Sequence, residues 1–258
     1  MNYLLLPNET LNDLLHEKMK IIQPQNGYRF SIDPVLLCGF MDASTDAGII
    51  DLGTGNGIIP LILSQRSPDC RIVGIERQEA MADRARRSVE LNNLAHRVEI
   101  LIADIRALPE SLVEQSWDVV CTNPPYRPVG SGRIAPDDER AAARHELAGT
   151  VVDFVRAASV LLKSGGRFSL IFLAERLPEL LTEMRGYQLE PKRLRMVHPR
   201  FGEPANLVLV EGRKDGRPGL KVEPPLFIYK EGGRDYTDEV LRIYRDEGRG
   251  TRDEKRES

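Results

Sequence analysis

Apolar residues fall in short, near-continuous runs, separated by stretches with helical spacing. Gly48–Leu52, Arg71–Ile75, Val98–Ile102 and Trp117–Cys121 read as strands, followed by Arg167–Leu173, Arg193–Val197 and Asn206–Glu211. Runs dominated by Ile, Val and Leu suit strands covered on both faces, as in parallel sheets. Between them the pattern predicts helices over Ile58–Gln65, Gln78–Asn93, Val151–Leu162 and Glu175–Arg185. In the second, Ala82, Ala85, Val89 and Leu91 to Leu94 face the sheet. Lys163-Ser164-Gly165-Gly166 reads as a helix stop, a basic last turn followed by glycine. This alternation of strand and helix predicts an α/β sandwich with a mainly parallel sheet.

Residues 1–47 are organised differently. Ile21-Ile22-Gln23, a turn at Pro24 to Gly27, and Tyr28-Arg29-Phe30 suggest a hairpin. Asp33-Pro34 opens a short helix, with proline at a favoured first-turn position. The expected organisation is a cap or hairpin segment over 1–47, a catalytic domain over 48–244 and a disordered tail over 245–258, whose charged composition offers nothing to bury. Residues 127–149 read as a long loop, glycine-rich and then charged.

Hydrophobic residues make up 41% and charged residues 29%, enough for a substantial core. No run approaches the ~20 apolar residues of a membrane helix, and the N-terminus lacks a signal-peptide pattern, so no membrane role is expected. Cys38, Cys70 and Cys121 are widely spaced and form no C-x-x-C pair. Neither disulfides nor a metal site is expected, and a reducing cytoplasm fits. Cys121 ends an apolar run and reads as a small buried hydrophobe. The net charge of −3 counts against binding nucleic acid by bulk electrostatics, so an RNA substrate would need local basic patches.

Asp51-Leu52-Gly53-Thr54-Gly55-Asn56-Gly57 lies between a predicted strand and a predicted helix. Glycines there permit positive φ and close ligand approach, and the helix start points free N–H groups at the ligand. A bare turn would not need three alternating glycines. A dinucleotide fingerprint would place its third glycine where Ile58 stands. The spacing and the preceding Asp51 favour S-adenosylmethionine over NAD. Glu76, ending the second strand, suits two ribose hydroxyls, and Asp104, after the third, suits an adenine amine. Each could instead be an acid favoured at a helix start.

Asn123-Pro124-Pro125-Tyr126 follows the fourth strand. An adenine amine is a poor nucleophile because its lone pair is delocalised into the ring. The Asn123 side-chain oxygen and the Pro124 carbonyl can each accept one of its N–H groups, drawing the nitrogen toward tetrahedral geometry. Pro124 and Pro125 stiffen the backbone, so the acceptors are preorganised. Tyr126 offers a ring face for a flipped base. No base is needed in the tetrad, and His16, His96, His145 and His198 lie elsewhere. The competing interpretation is a proline turn after a buried strand.

Gly27 to Asp33 followed by Val35-Leu36-Leu37, Asn123 to Arg127, Gly130 to Arg133, Ala143 to Glu146, and Pro224 to Tyr229 with Tyr236-Thr237 together resemble the bacterial tRNA(Val) adenine-37 N6-methyltransferases, over about residues 8–244. The resemblance implies a Rossmann-like class I methyltransferase fold, a seven-stranded sheet whose last strand is antiparallel, with helices on both faces. It implies S-adenosylmethionine as methyl donor, S-adenosylhomocysteine as product and an anticodon-loop adenine as acceptor. Carried over by motif, Asn123, Pro124, Pro125 and Tyr126 are catalytic, while Asp51, Gly53, Thr54, Gly55, Gly57, Glu76, Asp104 and Asn123 hold the cofactor. Tyr28, Phe30 and Asp33 would close over its methionine end. Arg127, Arg133 and Arg144, with Lys192, Arg193 and Arg195, are candidates to grip RNA phosphates. Acids beside Arg133 and Arg144 make a solvated face an equal reading of that loop. The alternatives are another RNA or DNA base, a protein glutamine amide, or a methyltransferase-like fold that only binds a nucleotide or a partner. The oligomeric state is left open.

Overall fold

The structure, a computed structural model, describes residues 5–15, 19–26, 31–42, 47–126 and 149–245. The expectations for Tyr28, Phe30, Arg127, Arg133, Arg144 and the tail after Arg245 fall outside the described residues.

The chain begins with strands β1 (Glu9–Leu14) and β2 (Met19–Pro24) and helix α1 (Asp33–Phe40). The repeating part runs β3 (Gly48–Leu52), α2 (Ile58–Arg66), β4 (Arg71–Glu76), α3 (Glu79–Leu91), β5 (Val98–Ile102), α4 (Glu110–Val113), β6 (Trp117–Thr122), α5 (Val151–Leu161), β7 (Leu162–Leu173) and α6 (Leu177–Gly186). It ends with β8 (Leu189–His198), β9 (Leu207–Lys214), the short β10 (Lys221–Val222) and β11 (Leu226–Phe227), and α7 (Asp238–Arg245).

The main sheet has the order β10-β8-β9-β7-β6-β3-β4-β5, with β11 also paired to β8. β3 to β7 pair in parallel, and β9 runs antiparallel between β7 and β8. The seven strands expected between residues 48 and 211 are present. The two-residue β10 and β11 are additions that carry too little apolar pattern to be read.

Strand alternation divides the core in two. Ile49, Ile72, Val119, Ile171 and Leu209 face the cluster built with α1, α2 and α3. Their chain neighbours Ile50, Val73, Val120, Leu170 and Val208 face the opposite cluster, built with α5 and α6. That two-sided cover is why the strands read as continuous apolar runs.

Among the described residues the hairpin pairs Ile21, Ile22 and Gln23 with Asn12, Leu11 and Thr10 upstream; the pairing expected with 28–30 lies outside the described residues. β1 has only two apolar residues, Leu11 and Leu14, and its Asn and Asp are poor strand formers. Long-range bonds hold the hairpin: Ser88 Oγ accepts Ile22 N–H at 3.0 Å, Asn92 Oδ1 accepts Lys20 N–H at 2.9 Å, and Arg87 donates to both Glu9 carboxylate oxygens. One expectation is corrected: Lys163 to Gly166 does not stop a helix. α5, started by a Thr150–Asp153 capping box, ends at Leu161, and Leu162 already pairs with Trp117 of β6. Lys163 pairs with Asp118, and Gly165 O accepts from Arg213 Nε at 3.0 Å, so the two glycines belong to the strand entry.

Candidate active site

The sheet's strand order reverses beside β3: the chain passes from β3 outward to β4 and β5, then returns to β6 on the other side. Ligand crevices form at such switch points, beyond the carboxyl ends of the strands. A cavity of about 300 Å³ lies there. The structure brings Gly53, Thr54, Gly55, Glu76, Asp104 and all four residues of Asn123 to Tyr126 into its lining. Asp51 and Gly57 stand behind the loop.

The loop is shaped by its glycines. Gly53, Gly55 and Gly57 have φ of 71°, 59° and 85°. A Cβ on Gly57 would lie 2.9 Å from Ala85 Cβ of α3, so the third glycine lets helix and loop meet. A Cβ on Gly55 would meet nothing within 4 Å, because that side opens to the cavity. Glu76 fastens the loop to β4: its oxygens accept Gly55 N–H at 2.9 Å and Gln78 N–H at 2.8 Å. Burial pushes the Glu76 carboxyl above its usual range, while those backbone donors hold it partly down.

Asp51 is fully buried. Burial raises its carboxyl to about 8, and the Glu76 charge adds to the effect. Asp51 Oδ2 and Thr54 Oγ1 are buried with no hydrogen-bond partner among the described residues. Such atoms in a native core call for a partner. Asp104 is the opposite case. Hydrogen bonds from the Arg106 side chain, with the Arg77 charge nearby, hold its carboxyl down to about 2. It stays a charged acceptor at the cavity wall.

The tetrad is anchored on three sides. Thr122 Oγ1 donates to Leu52 O at 2.8 Å, tying the end of β6 to β3. Arg176 Nη1 donates to Tyr126 O at 3.2 Å while its guanidinium lies over Phe172. Tyr126 Oη lies 2.8 Å from Asp33 Oδ2 and 2.9 Å from Asn123 Oδ1, and its ring meets Phe172 edge-on at 6.2 Å. Asp33 therefore reaches the site through Tyr126. Cys121 sits beneath, its thiol raised by burial and inert as a nucleophile.

Lys192, Arg193 and Arg195 are not brought to the cavity. They lie on β8, three strands from β6, about 14 Å across the sheet. Arg193 pairs with Glu223, Asp42 and Glu211 and lies over Phe40. Arg195 pairs with Glu239 and donates to Pro224 O, and Lys192 Nζ donates to Arg217 O. Through these contacts the cations tie β8 to α1 and to the C-terminal segment. Conversely, Ile21, Gln23, Met81, Ile105 and Phe154 line the cavity and were not foreseen. Phe154 backs the loop, since a Cβ on Gly53 would stand 3.2 Å from its ring.

A family model described as a methyltransferase domain matches residues 43–194. A solved predicted O-methyltransferase from Agrobacterium tumefaciens superposes with a TM-score of 0.67 at 28% identity, covering 83% of this chain and 96% of its own. The T. thermophilus 16S rRNA N2 methyltransferase, solved with AdoMet and guanosine, shares the fold at a TM-score of 0.55 and 19% identity, over 80% of this chain and 50% of its own. Fold and site thus define a class I S-adenosylmethionine-dependent methyltransferase. Among curated relatives, the tRNA1(Val) (adenine(37)-N6)-methyltransferase of Actinobacillus succinogenes is 30% identical over 91% of this chain and 96% of its own length. That of Porphyromonas gingivalis (strain W83) is 34% identical over 64% and 67%. The chain belongs to the tRNA1(Val) (adenine(37)-N6)-methyltransferase family.

S-adenosylmethionine is its cofactor, and the site fits it. Thr54 reaches the cavity lining, Glu76 and Asp104 present carboxylates, and Gly55 leaves the loop backbone open to close approach. Among the described residues no group of side chains could hold a metal ion, and no helix is long and apolar enough to cross a membrane.

Proposed function

We propose that the chain methylates the exocyclic N6 amine of an adenine in tRNA, at position 37 of an anticodon loop. The observation that carries this is the placement of Asn123, whose carboxamide shares one cavity with the glycine loop and Glu76. S-adenosylmethionine supplies an electrophilic methyl group on a sulfonium. Asn123 Oδ1 and the Pro124 carbonyl take one amine hydrogen each, which turns the nitrogen lone pair out of the ring plane and toward the glycine loop. Their positions are fixed beforehand by Thr122, Arg176 and the two prolines, so orientation costs little during the reaction. Tyr126 and Pro125 give the flipped base apolar surface. Glu76 and Asp104 hold the nucleoside end of the cofactor, and Asp51 and Thr54 lie toward its methionine end. The names of the curated relatives support the tRNA acceptor.

The test is methylation of a tRNA(Val) transcript, read by nucleoside mass spectrometry. N6-methyladenosine should form at position 37 and vanish when that adenine is replaced by guanine. Methyl transfer to a glutamine peptide, with none to RNA, would reject the assignment.

A further inference from the structure

Phe201 is 73% exposed, the most exposed large hydrophobic side chain among the described residues. It stands in the turn between β8 and β9, at the outer end of a short ladder of rings. Its ring centroid lies 5.7 Å from that of Phe227, which lies 5.4 Å from that of His198. Single exposed apolar residues are ordinary. This one is held up by a built support. β11 pairs Phe227 with His198, Ile228 N–H donates to His198 O at 2.9 Å, and Tyr229 N–H donates to Pro199 O at 2.8 Å. Arg200 Nη2 donates to Gly233 O at 2.7 Å, and its guanidinium lies over Tyr229, which stacks on Tyr236. Thr237 Oγ1 donates to Phe227 O at 2.8 Å. The residues from Pro224 to Tyr229 with Tyr236 and Thr237, which do not line the cavity, are thus the scaffold of this turn.

The turn is continuous with the acceptor site. β7 and β8 both run antiparallel to β9, so β8 ends on the same sheet edge as β3 to β7. Leu173, Leu207 and Val197 form one row across these three strands. Asn206, at the end of the turn, accepts Ala174 N–H at 3.0 Å, and Arg176, two residues on, donates to Tyr126 O. An RNA whose adenine enters beside Asn123 lays its neighbouring nucleotides along this edge. Three strand spacings, about 14 Å, separate β8 from β6. That is too far for the flipped adenine and within reach of a nucleotide near it. Bases of an unpaired loop can be splayed out, and an aromatic side chain stacks any of them, because every base has a π-face. Stacking needs no cation, which suits a chain of net charge −3 whose β8 arginines are engaged with carboxylates. A support fixed before binding loses little freedom when it takes a base. We propose that Phe201 is a stacking platform for an unpaired base flanking the target adenine, outside the methyl-transfer pocket. The proposal rests on the RNA-methylation function above and extends it to the neighbouring nucleotides.

The experiment compares wild type, Phe201→Ala and Phe201→Trp on the tRNA(Val) transcript, by single-turnover rate across RNA concentration, with cofactor Kd and melting curves measured alongside. Phe201→Ala should weaken apparent RNA affinity by about 5- to 100-fold. The loss should lie in affinity, with cofactor Kd and melting temperature unmoved, because the ring is exposed and outside the cavity. Phe201→Trp should bind RNA at least as tightly as wild type. Transcripts with a single abasic nucleotide at each unpaired position near the target then locate the base. At one position the abasic change should weaken binding to wild type and cost Phe201→Ala nothing further. Equal RNA affinity in wild type and Phe201→Ala overturns the proposal. So does a Phe201→Ala loss that persists in full on every abasic transcript, since the ring would then act without a base. So does a variant that loses self-association in sedimentation while keeping RNA affinity, which would make this surface an interface between copies of the chain. If the wild type methylates no tRNA adenine, the function reading itself fails; if it does and Phe201→Ala binds RNA as tightly, only the platform fails.

Discussion

The Glu76 carboxylate accepts the Gly55 N–H at 2.9 Å, so the residue that ends β4 also sets the curvature of the loop that follows β3. One side chain thereby couples two adjacent strand ends beside the switch point. Its second oxygen takes Gln78 N–H at the start of α3. Glu76→Gln would keep the shape but turn an NH2 toward one of those N–H donors. A lost hydrogen bond to a charged group costs about 1.5–3 kcal/mol. S-adenosylmethionine affinity should fall by about 10- to 100-fold by calorimetry. Affinity within twofold of wild type would mean that Glu76 is only a structural staple.

Asp51 makes cofactor binding pH-dependent. With its carboxyl raised to about 8, it keeps its proton at neutral pH in the free protein. A cationic ligand nearby favours the carboxylate. Binding should therefore release a proton below about pH 8, and affinity should rise with pH up to about 8 and then level off. Calorimetry in two buffers of different ionisation enthalpy measures that proton directly, and a pH-independent affinity without proton release would contradict it. Stability should move the other way. The folded-state value lies above the ordinary 3.8, so between the two the folded protein binds the extra proton. Folding stability contributed by this group is full below about pH 4 and lost as pH rises through about 8. Asp51→Asn should flatten that decline in melting temperature while weakening cofactor binding.

Arg193 and Arg195 should act on stability and leave RNA binding alone. Arg193 is 19% exposed and faces Glu211 and Glu223, at 9% and 19%. Arg193→Ala leaves those carboxylates without their cation, which costs about 2–3 kcal/mol for a pair only partly removed from water. A chain of this size should lose about 4–10 °C of melting temperature. The tRNA Kd and its salt dependence should not change. A reduced salt slope would restore the phosphate role that the local sequence suggested.

That contrast shows what the sequence could carry. Strands β3 to β9 were legible because burial on both faces leaves uninterrupted Ile, Val and Leu, and the site was legible where chemistry fixes residue type at fixed spacing, as at Gly53 to Gly57 and Asn123 to Tyr126. The pairing of β1 with β2 was not legible, because it is secured by Glu9–Arg87 and Ser88, far apart in the chain. Arg193 and Arg195 looked like a patch because their partners, Glu211, Glu223 and Glu239, are distant in sequence. Phe154, Met81 and Ile105 have ordinary core periodicity, and only the tertiary fold turns them toward the cavity.

The glycines of the cofactor loop should separate binding from stability. Gly55 and Gly57 both have positive φ, at 59° and 85°, so alanine costs about 1–2 kcal/mol of backbone strain at either. Their surroundings differ. A methyl group at 55 meets nothing within 4 Å and projects into the cavity, where it takes the space a ligand needs. A methyl group at 57 would sit 2.9 Å from Ala85 Cβ and 3.3 Å from its Cα, so α3 or the loop must move. Because Ala85 is fully buried against the sheet, that movement disturbs the core. Gly55→Ala should therefore reduce S-adenosylmethionine affinity by about tenfold or more, with a loss of about 2–8 °C in melting temperature. Gly57→Ala should lose about twice as much stability, since overpacking adds about 1–3 kcal/mol to the strain. Melting curves without cofactor and calorimetry with it test both halves. If the two variants melt alike and bind alike, the loop is not divided into a ligand-facing and a helix-facing glycine.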